Sequence, residues 1–193
     1  MSAVLLAPPF IFLFAAMLCP LLPSRWRALL LLGVPVVALL VMLSYAMGQH
    51  AVVSVVGFEI TFMRVDKLSL IFGIIFSIAA FLAGLYAWHV RDTVQQVATL
   101  AYAGSAIGGV FAGDLITLFL WWEGTAVASV FLIWARRTPA SFSTGMRYLL
   151  IQVLSGVLLL AGLLVHYHET GSIAFDHLGL VSVGTWLIFL SFG

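Results

Sequence analysis

The stretch from Gly113 to Arg137 is an apolar segment of membrane-spanning length, with a single carboxylate, Glu123, near its middle. Asp114 bounds this run on one side and the Arg136-Arg137 pair closes it on the other. A helix needs about 20 mostly apolar residues to cross the hydrocarbon core of a bilayer. A carboxylate at that depth is expensive, roughly 2.5–3.5 kcal/mol on insertion scales. Its presence implies a partner, a water-filled cavity or a task. The rest of the chain reads as the scaffold around it.

Further apolar runs of the same kind flank this one. The first candidate helix runs from about Ala3 to Leu22, with Pro8-Pro9 near its start, where proline is tolerated, and Pro20 and Pro23 at its end. The second, about Ala28 to Met47, contains Pro35 as a kink. Gly48 to Val65 differs: polar residues alternate with Val and Phe around Gly57, the pattern of a short β-hairpin outside the membrane. Asp66 is placed to cap a third helix, Leu68 to about Trp88. The fourth, about Val94 to Ala112, is the least hydrophobic, and its Gly104 and Gly108 have the small-xxx-small spacing of close helix packing. The run that carries Glu123 is the fifth, and the sixth extends from about Thr144 to Val165.

A polar loop, His166 to Gly179, follows, with Glu169, Asp176 and three histidines. A seventh apolar segment runs from Leu180 to Gly193. At 1.5 Å per residue it spans only about 21 Å, against roughly 30 Å of hydrocarbon, so it is read as a helix cut short. The expected fold is therefore all-α: a polytopic transmembrane helix bundle of about six complete helices and an incomplete seventh, with an external hairpin over 48–65. Residues 1–193 form a single transmembrane domain in this reading.

Composition agrees, with 64% hydrophobic and only 8% charged residues, where a soluble domain is about a quarter charged. A net charge of +1 with no basic patch excludes nucleic acid as a partner. Cys19 is the single cysteine, so no intrachain disulfide forms, and neither metal ligands nor cofactor ligands are spaced along the chain. The start, Met1 to Leu6, lacks the positive region of a cleaved signal peptide. The loops after helices one, three and five hold Arg25, Arg27, Arg91, Arg136 and Arg137, with Arg147 at the edge of helix six. The opposite loops hold Arg64 and Lys67 among acidic residues. This asymmetry places the first set in the cytoplasm and the N-terminus outside, and the expected location is the plasma (inner) membrane.

Glu123 lies nine residues past Asp114, about 14 Å from the outer face. Tyr148, Gln152 and Ser155, at i, i+4 and i+7, make one polar stripe on helix six, with Gln152 roughly 12 Å from the inner face. A short connection makes the two helices antiparallel neighbours, so carboxylate and amide can meet near the midplane. That arrangement suits a proton or cation relay. The plainer alternatives stay open: a protonated Glu123 bonding a neighbouring helix, Gln152 as an interhelical hydrogen bond, and Tyr148 as packing. His166 and His168 form an HxH pair that reads as a surface loop. Trp134 sits at interface depth, while Trp121 and Trp122 shape the packing near Glu123.

The segments Val65-Asp66-Lys67-Leu68-Ser69-Leu70-Ile71-Phe72, Phe111-Ala112-Gly113-Asp114-Leu115 leading to Trp122-Glu123, and Met146-Arg147-Tyr148-Leu149 resemble the antiporter-like membrane subunits of respiratory complex I and of Mrp-type Na⁺/H⁺ antiporters, most of all the D-type chains of the latter. The resemblance extends from about Leu5 to Gly193. It implies that Glu123 corresponds to the family's fifth-helix glutamate, which pairs with a lysine in a broken seventh helix and modulates proton movement. Gly124 stands where the family usually has leucine, and Lys67 where glycine or arginine is common. Family members run to about fourteen helices in inverted five-helix repeats around broken helices.

The resemblance thus implies the N-terminal part of a protein translocating protons or Na⁺, truncated or split, without a catalytic centre or cofactor of its own. It would work with other membrane subunits, including a chain that supplies the missing C-terminal helices. The rival readings are a non-transporting structural or assembly fragment and a small stand-alone transporter acting as an oligomer.

Overall fold

The computed structural model describes residues 7–55, 57–174 and 178–192. The helices are α1 (Pro8–Leu18), α2 (Ser24–Ser44), α3 (Lys67–Tyr86), α4 (Thr93–Phe111), α5 (Leu115–Trp134), α6 (Pro139–Thr170) and α7 (Val183–Ser191). Strands β1 (Gly48–Val55) and β2 (Phe58–Val65) pair antiparallel, from Gly48 opposite Val65 to Val55 opposite Phe58. One-turn 3-10 segments, Cys19–Leu21 and Ala87–His89, extend α1 and α3. The expected all-α bundle with one small hairpin is what the chain forms. The part of the first predicted helix from Ala3 to Leu6, together with Asp176, His177 and Gly193, lies outside the described residues.

Among the described residues four helical stretches are long and apolar enough to cross a membrane: Ser24–Ser44, Lys67–His89, Leu115–Trp134 and Pro139–Thr170. α4 is less apolar because of where it sits, with α1, α3 and α5 all packed against it. Its Gln96, Gly104, Ser105 and Gly108 are buried. The two glycines predicted to mediate packing take different partners. A side chain at Gly104 would run into Phe12 and the Pro9 carbonyl of α1, and one at Gly108 would run into the indole of Trp121 on α5.

Alternate connections along the chain gather at opposite ends of the bundle. At one end Arg27 meets Thr93, Arg91 lies 3.5 Å from the Ser24 carbonyl, and Arg137 pairs with Asp92 at 2.6 Å. At the other, Gly113 N–H donates to the Thr61 carbonyl, Leu115 N–H donates to the Ile173 carbonyl, and the Phe58 ring meets Tyr167 edge-on. β2 supplies the buried side of the hairpin through Ile60, Thr61, Met63 and Val65.

Several boundaries differ from the sequence reading. α2 starts at Ser24, not Ala28, so Arg25 and Arg27 are helical and not loop residues, and the largest shifts are at α6 and α7. α6 starts at Pro139, not Thr144, because Thr138 and Ser141 form a capping box and Pro139 occupies the first helical turn. It runs on to Thr170 and stops only at Gly171, whose left-handed φ of +69° ends the helix. His166, His168 and Glu169 are therefore helical, not loop residues, and His166 is buried. Leu180 to Ser182 precede α7, which is capped by Ser182 and spans 9 residues.

Candidate functional site

Three caps set the axial position of α3, α4 and α5, and with it the depth of Glu123. Asp66 accepts from Ser69 N–H at 2.8 Å, and Asp92 accepts from Val94 and Gln95 N–H. Asp114 does more. One oxygen accepts from Thr117 N–H at 2.8 Å, and the other accepts from Thr61 N–H at 2.6 Å and the Thr117 hydroxyl at 2.8 Å. At 2% exposure it is both helix cap and the bolt fixing the hairpin to α5. Gly113 permits this approach, since a β-carbon there would collide with Thr61.

Outside the spans, the Asp66 carboxyl is held below the ordinary aspartate range, first by the hydrogen bond from Ser69 N–H, against the opposing effect of partial burial, and then by the Ser69 hydroxyl and Arg64.

Glu123 lies in the middle of α5, against Gly156 of α6, where a β-carbon would overlap its carboxylate. Its Oε1 is buried and has no hydrogen-bond partner among the described residues. Gly156 stands one helical turn beyond Gln152, so the stripe on α6 passes close to the carboxylate without ending on it.

The stripe itself divides by role. Ser155 accepts from the Trp122 indole N–H at 3.2 Å and donates to the Ser191 carbonyl at 2.6 Å, which pegs α5, α6 and α7 together. The Tyr148 hydroxyl meets Ser129 Oγ at 3.0 Å, a second α5–α6 link. Gln152 and Tyr148 line a cavity of about 390 Å³ together with Tyr102, Ser105, Thr125 and Trp121. Glu123 borders a different space, a groove of about 770 Å³ between α1, α4 and α5. Ser105 and Trp121 border both. The indole N–H of Trp121 is buried and has no partner among the described residues, and Ser105 reaches this position because Gly124 leaves room for its hydroxyl. Glu123 and Gln152 thus border different spaces, with Ser105 and Trp121 on the edge of both.

Sequence reasoning missed three contributors: Gly156, Ser105 and Tyr102. The i, i+3 spacing of Tyr102 and Ser105 on α4 carried a signal, and so did a glycine one turn beyond Gln152. Among the described residues no three of His, Cys, Asp and Glu converge as a metal site.

Residues 112–193 match the family model of the NADH:quinone oxidoreductase/Mrp antiporter transmembrane domain. A putative antiporter subunit mnhA2 of Staphylococcus epidermidis is 31% identical over 118 residues, 57% of this chain and 15% of that protein. The A-type subunit of the Na⁺/H⁺ antiporter of Alkalihalophilus pseudofirmus is 29% identical over 133 residues, 64% of this chain and 16% of the relative. Both relatives are of the A type, whereas the sequence motifs resembled the D type. The chain aligns with only about a sixth of the length of these relatives.

Its fold is that of a chain in the Mrp complex of Dietzia sp. DQ12-45-1b, with a TM-score of 0.78 and 22% identity over 95% of this chain and 22% of the other. Respiratory complex I of Thermus thermophilus contains a similar chain, with a TM-score of 0.77 and 18% identity over 96% of this chain and 42% of the other. In sequence over residues 112–193, and in fold over nearly its whole length, the chain is thus similar to the antiporter-like membrane subunits of complex I and Mrp-type antiporters.

Proposed function

We propose that the chain contributes Glu123 as the ionisable centre of proton or monovalent-cation translocation in a multisubunit membrane complex. The observation that carries this reading is the carboxylate itself: mid-helix, half-buried, with Oε1 unpartnered and seated on a glycine. A purely structural carboxylate at that depth would be tied to donors, as Asp114 is. Glu123 is left able to exchange a proton with a group or water outside these helices. Gln152, Tyr148 and Tyr102 form the polar approach on the far side of Ser105 and Trp121, while Ser155 holds the helices in register.

In this reading residues 1–193 are one transmembrane domain with the hairpin outside, the N-terminus outside and the arginine-rich end in the cytoplasm, in the plasma membrane. The remaining helices of the translocating unit come from polypeptide beyond these residues, and the moved ion is H⁺ or Na⁺. Within the Mrp antiporters the chain is of the A or the D type. The alternative is a structural or assembly role, favoured by the Trp122–Ser155–Ser191 peg, which joins three helices without using Glu123.

The test is Glu123→Gln and Glu123→Asp in the assembled complex, with ion-driven pH changes followed in everted membrane vesicles and assembly followed on native gels. Gln is expected to abolish most transport with assembly intact, and Asp to restore part of it. Full transport by Glu123→Gln would leave the structural role.

A further inference from the structure

The groove bordered by Glu123 has a charged mouth. It begins at Pro20 and Thr93, at the arginine-rich end of the bundle, and its walls are Leu13, Val97, Ala101, Leu120, Val127 and Phe131. Along α4 it extends from Thr93 to Ser105, about 18 Å at 1.5 Å per residue. One leaflet of hydrocarbon is half of roughly 30 Å, or about 15 Å. The trough is as long as one acyl chain standing in one leaflet.

At its mouth Thr93 is the hydrogen-bond acceptor of the Arg27 guanidinium, and the Nε of Arg27 is buried without a partner among the described residues. Arg25 and Arg27 lie in the first turns of α2, at the positive end of its dipole, with no acidic residue in the first turn. Cations there are unfavourable unless an anion compensates them. Asp92, the nearest acidic residue in the chain to Thr93, is already paired with Arg137. Among the described residues no ion pair joins Arg25, Arg27 or Arg91 to a carboxylate. Arg91 reaches the Ser24 carbonyl, and Trp26, 62% exposed, stands beside the arginines as a headgroup-level residue does. A cationic mouth on an apolar trough of acyl length matches one class of ligand.

We propose that this groove binds an anionic phospholipid, with its phosphate on Arg27 and one acyl chain lying between α1, α4 and α5. The chemistry is that of basic pockets between transmembrane helices, where a phosphate is held at the bilayer surface and its chain fills the space below. The lipid closes the Glu123 side of the bundle against water without touching the Gln152 cavity.

The experiment uses the purified complex, delipidated and then exposed to phosphatidylglycerol or phosphatidylcholine, with bound lipid read by native mass spectrometry, which also confirms that the complex is intact. Wild type is expected to retain phosphatidylglycerol over phosphatidylcholine. Arg27→Gln should reduce that preference roughly five- to tenfold, and Arg27→Lys should keep most of it. Ala101→Trp, which fills the trough, should lose both lipids at this site. Equal retention of the two lipids by wild type would overturn the proposal, as would an unchanged preference in Arg27→Gln. Retention unaffected by Ala101→Trp would place the lipid elsewhere, and a wild-type complex that takes up neither lipid would mean that a neighbouring helix fills the groove. None of these readouts depends on ion transport, so they stand apart from the outcome for Glu123.

Discussion

Asp114 is the residue whose loss has the most calculable effect. It is 2% exposed and accepts from Thr61 N–H, Thr117 N–H and the Thr117 hydroxyl. In Asp114→Ala the α5 cap is lost, worth about 1 kcal/mol. The buried Thr61 N–H is left without an acceptor, at about 1–3 kcal/mol. Together these give about 3 kcal/mol, all of it at the junction of hairpin and helix. By the rule of about 1.4 kcal/mol per tenfold, the Thr61 and Thr117 amides should exchange with solvent deuterium about 100-fold faster. Asp114→Asn retains one acceptor oxygen for the cap and should show a clearly smaller increase. Hydrogen exchange on the protein in nanodiscs checks this, with amides in the middle of α5 as the internal standard. If Thr61 exchange is unchanged in Asp114→Ala, the hairpin is held by something other than Asp114 and the reasoning fails.

Three further outcomes follow from the same geometry. Gly156→Ala places a methyl where the Glu123 carboxylate lies, so it should lower transport in vesicles although no charge is removed, whereas Ala at Gly33, which has open space around it, should not. Ser155→Ala unpairs the Trp122 indole and frees the Ser191 carbonyl. It should lower stability by about 1–3 kcal/mol, seen as a lower midpoint in thermal unfolding and earlier proteolysis of α7. The Asp66 carboxyl is shifted down in the fold, chiefly by the Ser69 N–H, so its contribution to α3 is complete above the ordinary aspartate range and disappears as pH falls through the lowered value. Protection of the Ser69 amide, its exchange relative to the intrinsic rate at each pH, should fall on acidification across that window in wild type and show no such step in Asp66→Asn.

The bundle was readable because each of its determinants is local. Asp66 and Asp114 announce their helices through a side chain that accepts from the third residue on, and Gly57 bends the hairpin with a φ of +85° that few other residues adopt. What went astray at α6 was also local, but hydropathy hid it. Thr138-Pro139 starts the helix before its apolar run begins, and polar His166, Tyr167 and His168 continue it after the run ends. Hydropathy marks where a helix meets lipid, and capping chemistry marks where it stops. The two need not coincide when a helix projects beyond the membrane.

The candidate site was readable in depth but not in azimuth. Counting residues placed Glu123 and Gln152 at matching levels on antiparallel helices, and α5 and α6 do pack side by side. Rise per residue, however, says nothing about which side of a helix a group faces, and the spacing of 3.6 residues per turn is relative to an unknown contact direction. That direction is fixed by glycines on the partner helices. Gly156 draws Glu123 toward α6, Gly108 admits the Trp121 indole against α4, and Gly124 admits Ser105 beside it. With Trp121 inserted there, the carboxylate and the amide border separate spaces. Ser105 and the unpartnered indole N–H are the polar groups that border both, and so offer one route between them. Replacing Trp121 by Phe removes that N–H while keeping an aromatic ring against Gly108. Transport in Trp121→Phe should therefore fall if protons cross between the two spaces, and stay at the wild-type rate if Glu123 exchanges only with groups on its own side.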